Sequence, residues 1–199
     1  MTRILLIRHG STDLLGHVLY GRASGVHLNS EGLHQAELIG QSLKQQYSLE
    51  GIYSSPLDRA LETANAIAQA CGKPVVLDEG ITEIDFGEWV GKSFRELDNT
   101  EGWRSFNRQR SIRWAPGGES MLEVQARAWR TIQAVSAKFN AGGAVALVSH
   151  GDVIRCVLLL VLGMPLDHIH RLEVAPGSVS EIAVGEHNFL VRSINQIFY

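Results

Sequence analysis

The sequence predicts an α/β fold built on a mostly parallel sheet, and three observations point there. Short apolar runs alternate with longer segments of helical periodicity, the pattern of βα units. The strand-like runs are continuously apolar, which suits strands covered on both faces. A chain of 199 residues that is 45% hydrophobic holds enough apolar material for one sizeable core, so a single domain is expected.

In order, residues 4–7 read as a first buried strand and 30–46 as a helix with apolar positions at Leu33, Ala36, Leu38, Ile39 and Leu43, capped by Asn29 or Ser30. Residues 51–53 read as the second strand. Ser55-Pro56-Leu57-Asp58 then offers a helix start, with Ser55 as N-cap, Pro56 in the first helical position and Asp58 closing a capping box. Residues 75–77 and 144–148 give the third and fourth strands, with a helix over 119–139 between them. The C-terminal runs 180–184 and 189–194 alternate as a hairpin around Gly185-Glu186-His187-Asn188. That strand pattern leaves room for a homodimer. The least regular piece, about 88–118, interleaves Trp89, Trp103, Phe106 and Trp114 with five arginines and reads as a small helical lid inserted in the domain.

Composition narrows the function. A net charge of −3 and a pI near 6.2 provide no broad basic surface for a nucleic acid, so affinity for anions must be local. The apolar runs at 4–7 and 157–162 are far below the roughly 20 residues of a membrane span, and the first is too short for a secretory leader. A cytoplasmic protein with no membrane partner is expected. Cys71 and Cys156 have no CxxC spacing and read as reduced, structural thiols.

The central observation is a recurrence. Ile4-Leu5-Leu6-Ile7-Arg8-His9-Gly10 and Val145-Ala146-Leu147-Val148-Ser149-His150-Gly151 are each an apolar strand ending in His-Gly. Groups at the carboxyl ends of parallel strands converge on the ligand crevice, and a glycine there lets backbone approach a ligand. Arg8, and Arg59 at the start of a helix that follows a strand, add the guanidinium groups that phosphoryl transfer requires. A neutral histidine can serve as nucleophile to phosphorus and needs no metal or other cofactor. A carboxylic acid of raised pKa can protonate the leaving alkoxide. Glu83 is chosen for this role; Asp85 shares its face if the segment is extended, and position alone does not separate them.

His17, His27, His34, His168, His170 and His187 form no zinc-type motif and read as surface or capping residues. The aromatic–arginine segment 103–114 could stack on bases, but with net negative charge an amphipathic lid fits better, its tryptophans contacting the non-phosphate part of a substrate. GxGxxG, Walker A and G-x-S-x-G motifs are absent from the sequence.

As a set, Arg8-His9-Gly10, Ser54-Ser55-Pro56-Leu57-Asp58-Arg59-Ala60 with Thr63-Ala64, the Glu83 segment, Pro116-Gly117-Gly118-Glu119-Ser120 and Ser149-His150-Gly151 resemble the histidine phosphatase superfamily, also called phosphoglycerate mutase-like. The resemblance implies a three-layer α/β/α sandwich, His9 as the phosphorylated nucleophile, Arg8, Arg59 and His150 as the phosphate clamp, and Glu83 as proton donor and later base. Ser11, Thr12, Arg22 and Gly151, beside these motifs, are further substrate-binding candidates. Two departures fall on the substrate side: Leu15 where mutases commonly carry Asn, and Gly21-Arg22 where many members have Gly-Gln. Arg22 is either an extra anion contact or a solvated loop charge. The chain is short for a mutase, which must hold a bisphosphate and exclude water. The expectation is a phosphomonoesterase acting on a small phosphorylated metabolite such as a sugar phosphate, phosphoserine or α-ribazole phosphate. Phosphoglycerate mutase is the alternative, and a phospho-ligand binding module without turnover is a second alternative of another class.

Overall fold

A computed structural model describes residues 1–139 and 142–199. Its single sheet has the order β3-β2-β4-β1-β5-β6, from β1 (Thr2–Arg8), β2 (Leu49–Ser54), β3 (Val75–Leu77), β4 (Ala144–Ser149), β5 (Val179–Val184) and β6 (Phe189–Gln196). The first four run parallel. The C-terminal hairpin joins the same sheet antiparallel, β5 against β1, which makes the sheet mixed.

Helices α1 (Ser30–Gln46) and α2 (Asp58–Cys71) cover one face, and α5 (Met121–Ser136) and α6 (Gly151–Val161) the other. Continuous apolar strands follow from this three-layer arrangement. Along β1, Leu5 and Ile7 enter the core under α1 and α2, while Ile4 and Leu6 enter the core under α5 and α6. Between β3 and α5 lie two short helices, α3 (Phe94–Asp98) and α4 (Glu101–Arg108); Leu97 of the first and Trp103 and Phe106 of the second join the core under α5 and α6. Among the described residues, no helix is long and apolar enough to cross a membrane.

Two local readings change and one alternative is settled. Ser55 does not cap α2: the N-cap is Leu57, without a side-chain bond, and Asp58 accepts from Gly25 N at 2.8 Å rather than closing a capping box. Ser55 Oγ instead lies 2.8 Å from His150 Nε2, so the site draws the serine away from its helix. The helix expected over 119–139 is shorter at both ends, because Ser120 and Glu123 form a reciprocal capping box that starts it at Met121. At α1 the cap is Asn29, whose Oδ1 accepts from Gly32 N at 2.9 Å.

The start of α1 packs directly on the loop after β1. A Cβ on Gly32 would run into the carbonyl oxygen of Ser11, and one on Gly10 into that of Gly32. Both obstacles are backbone, so neither yields by a rotamer change. Gly32→Ala is expected to cost about 1–3 kcal/mol as α1 is pushed off the loop. Urea unfolding measures this, and an unchanged midpoint would show that the loop has slack.

Candidate active site

The site begins with strand register. Parallel pairing sets Arg8 opposite Ser149, and His9 N donates to Ser149 O at 3.0 Å, so the next residue on each strand is a histidine. The two rings stand 5.2 Å apart between centroids. His9 Nδ1 lies 2.7 Å from Gly10 O, which assigns the proton to Nδ1 and leaves the Nε2 lone pair free to accept from Arg59 Nε at 3.3 Å. Burial, then the charges of Arg59 and Arg8, hold the His9 pKa well below its usual value. His150 has the other tautomer: Nδ1 faces Arg59 Nη2 at 3.3 Å, and Nε2 donates to Ser55 Oγ. Its pKa is also held well down, by burial first.

Arg59 is fully buried among neutral partners, a cost the fold accepts at few places. Its Nη2 donates to Gly21 O at 2.7 Å, its guanidinium stacks 4.7 Å from the Tyr20 ring centroid, and Nη1 has no partner. Arg8 donates to Val174 O at 2.6 Å and leaves Nε buried and unpartnered. Among the described residues, neither arginine has a carboxylate partner. Burial lowers the pKa of both.

A cavity of about 230 Å³ opens over this floor. Arg8, His9, Glu83 and Gly151 line it, whereas Arg59 and His150 are buried and do not form its wall. Glu83 is separated from its rival Asp85, whose Oδ1 accepts from Gly87 N at 2.8 Å and which does not line the cavity. Burial and then the charge of Asp152 push Glu83 up to about 7. Its carbonyl is gripped by Arg22 Nε at 2.7 Å and Arg127 Nη2 at 3.1 Å, and both arginines pair with Glu119. Arg22 does not line the cavity; its side chain, partly open to solvent, braces the backbone that carries Glu83. Ser11 and Thr12 are buried outside the cavity wall: Ser11 N donates to Gln35 Oε1 at 2.9 Å, and Thr12 Oγ1 lies 3.4 Å from the Tyr20 hydroxyl.

The upper wall holds residues that sequence reasoning missed. Arg110 and Arg155 each donate to Asp152 at 3.0 Å, one to either oxygen. Burial raises the Asp152 pKa, but the two guanidinium groups bring it below its usual value. His170 is exposed, as expected, and also lines the cavity with Asn107; partial burial lowers its pKa. The i, i+3 spacing of Asp152 and Arg155 just after Ser149-His150-Gly151 was an available signal, since it places both on the helix face that follows His150. Of the tryptophans, Trp103 reaches the cavity, Trp89 is buried in the core and Trp114 is 65% exposed.

Ser55→Ala removes the acceptor of the His150 Nε2 proton in a fully buried position. A stability loss of about 1–3 kcal/mol is expected on equilibrium unfolding, and a loss below about 0.5 kcal/mol would show that the proton has another acceptor.

The histidine phosphatase superfamily (branch 1) family model matches residues 4–197. The bifunctional protein Rv2228c of Mycobacterium tuberculosis is 34% identical over 203 residues; the match covers 100% of this chain and 55% of that protein, so the chain spans about half the length of this relative. A probable phosphoglycerate mutase, GpmB, of Salmonella choleraesuis is 33% identical, covering 96% of this chain and 88% of that one. The phosphoserine phosphatase of Entamoeba histolytica, solved with 3-phosphoglyceric acid, superposes with a TM-score of 0.86 at 30% identity over 98% of each chain. With its two His-Gly strand ends in register and the family model matching nearly end to end, the chain belongs to the histidine phosphatase superfamily, branch 1.

Proposed function

We propose that the protein is a phosphomonoesterase that hydrolyses a small phosphorylated metabolite through a phosphohistidine on His9. One observation carries this reading: a buried guanidinium (Arg59) and a half-buried one (Arg8), each with a buried, unpartnered N–H and no carboxylate partner among the described residues, flank a neutral histidine nitrogen. A dianionic phosphoryl group satisfies all of these at once. Arg8 and Arg59 hold its oxygens beside the backbone N–H of Gly151 at the start of α6, and His150, whose ring nitrogens face Arg59 and Ser55, backs the clamp from behind. His9 Nε2 attacks phosphorus as the ester P–O bond breaks, and the leaving oxygen takes the Glu83 proton. Glu83, now a carboxylate, deprotonates the water that attacks the phosphohistidine, and the P–N bond breaks to regenerate Nε2 and release phosphate. Guanidinium charge neutralises the transition state, so the reading calls for no metal ion.

The segment 88–118 acts as a lid over the leaving group, to which it contributes Phe94, Trp103, Asn107 and Arg110. A binding module would need neither a nucleophile nor a proton donor, and this site has both. Free Cys71 and Cys156 agree with a reducing, cytoplasmic setting. The mutase alternative is distinguished by product: phosphate moved between positions of phosphoglycerate faster than it is released.

His9→Ala is expected to abolish phosphate release from p-nitrophenyl phosphate and the acid-labile phosphoprotein, both of which persist in EDTA for the wild type. Wild-type turnover in the variant would overturn the mechanism. Glu83 must be protonated to act as the acid, so with its pKa raised to about 7, kcat/KM falls as pH rises through that value. Glu83→Gln loses roughly 10²–10⁴ in rate and the limb with it. Retention of that limb would assign it to another group.

A further inference from the structure

Arg8 is held from behind by a loop that lies outside the chemistry. Its guanidinium donates Nη1 to Val174 O at 2.6 Å, its backbone N donates to Ser178 O at 3.0 Å, and Gly177 N donates to Arg8 O at 3.2 Å. Residues 172–178 thus form a cradle for Arg8. The cradle is fixed in turn from the last strand, where Asn195 Oδ1 accepts from Ala175 N at 2.7 Å. Val174 C=O and Ala175 N–H are the two ends of one planar peptide group and point in opposite directions. Arg8 therefore grips one end of that peptide and Asn195 the other, in a continuous hydrogen-bonded chain from guanidinium to carboxamide oxygen.

Asn195 adopts an unusual backbone to reach this position. With a φ of 56° it is the one non-glycine residue in the left-handed region among the described residues. Its strand bulges there: Val179 pairs with Gln196 and Glu181 with Ser193, so Ile194 and Asn195 together face Ser180. Asn195 N pins the bulge by donating to Ser180 Oγ at 3.1 Å. A bulge that only blunted an exposed edge strand would call for no particular side chain. This one delivers a carboxamide to the cradle. Resting on the phosphatase reading above, we propose that Asn195 is a positioning residue for the phosphate clamp, holding Arg8 through the Val174–Ala175 peptide so that its unpartnered Nε meets a phosphoryl oxygen. Asn195 does not line the cavity and acts only through Arg8.

The test titrates inorganic phosphate calorimetrically into the wild type, Asn195→Gly and Asn195→Asp, and into Arg8→Lys with and without Asn195→Gly. Thermal unfolding of each protein is followed in parallel. Glycine accepts the left-handed backbone but offers no acceptor, so Asn195→Gly is expected to fold and yet bind phosphate roughly threefold to thirtyfold more weakly. Asn195→Asp, which keeps an acceptor oxygen, is expected to bind more tightly than Asn195→Gly. In the Arg8→Lys background the effect of Asn195→Gly should vanish, because a rotating ammonium has no fixed fork to aim. Unchanged phosphate affinity in Asn195→Gly, or Asn195→Asp binding no more tightly than it, would confine the residue to holding the hairpin. An equal loss in the Arg8→Lys background would route its effect elsewhere; each of these results overturns the proposal. Phosphate release from p-nitrophenyl phosphate by the wild type is measured alongside. If the wild type binds phosphate without turnover, the phosphatase reading falls, while the comparison of variants still decides the role of Asn195.

Discussion

Everything at the site depends on the parallel register of β1 and β4. Because Arg8 pairs with Ser149, the residues beyond them are adjacent histidines, and the side chains that follow on each strand arrive at the same height above the sheet. A slip of one residue would turn one ring to the opposite face. That register is held by side chains packed on both faces, with Leu5 and Ile7 on one side and Ile4 and Leu6 on the other. The same apolar pressure that builds the core therefore fixes the geometry of the chemistry.

Around that pair the protein arranges polar groups by the kind of partner each receives. Arg8 and Arg59 are given carbonyl oxygens, from Val174 and Gly21, which hold their orientation without neutralising them. Arg22 and Arg127, which support rather than face the cavity, are given the carboxylate of Glu119. Glu119 also accepts from Asp85 N at 3.1 Å, so one carboxylate fixes the strip of backbone from Glu83 to Asp85. Glu83 itself is surrounded so that its neutral form persists to about pH 7.

Strands, helices and the first ring of site residues were legible because they follow from local patterns: apolar runs, caps and the repeated His-Gly ending. Where a side chain has a long-range alternative, local rules misled. Ser55 is an ideal cap by sequence, yet His150, 95 residues away, is the partner it meets. Arg22 could not be placed because its acceptors, Glu83 O and Glu119, come from two distant segments. His170 lies in a short 3-10 helix (Leu166–Arg171), too brief for its sequence pattern to say which way a ring faces. Only the pair Asp152 and Arg155 carried a usable signal, in its helical spacing, and its meaning depended on knowing that α6 begins at the site.

Among the described residues Arg8 and Arg59 have no internal counter-anion, and this has a thermodynamic consequence. A buried and a half-buried charge with unmet N–H groups are a load that the fold carries, and an anion that binds only the folded state relieves it by mass action. Saturation at one hundred times the dissociation constant is worth about 2.7 kcal/mol. On the proposed reading, free phosphate therefore raises the conformational stability of the protein.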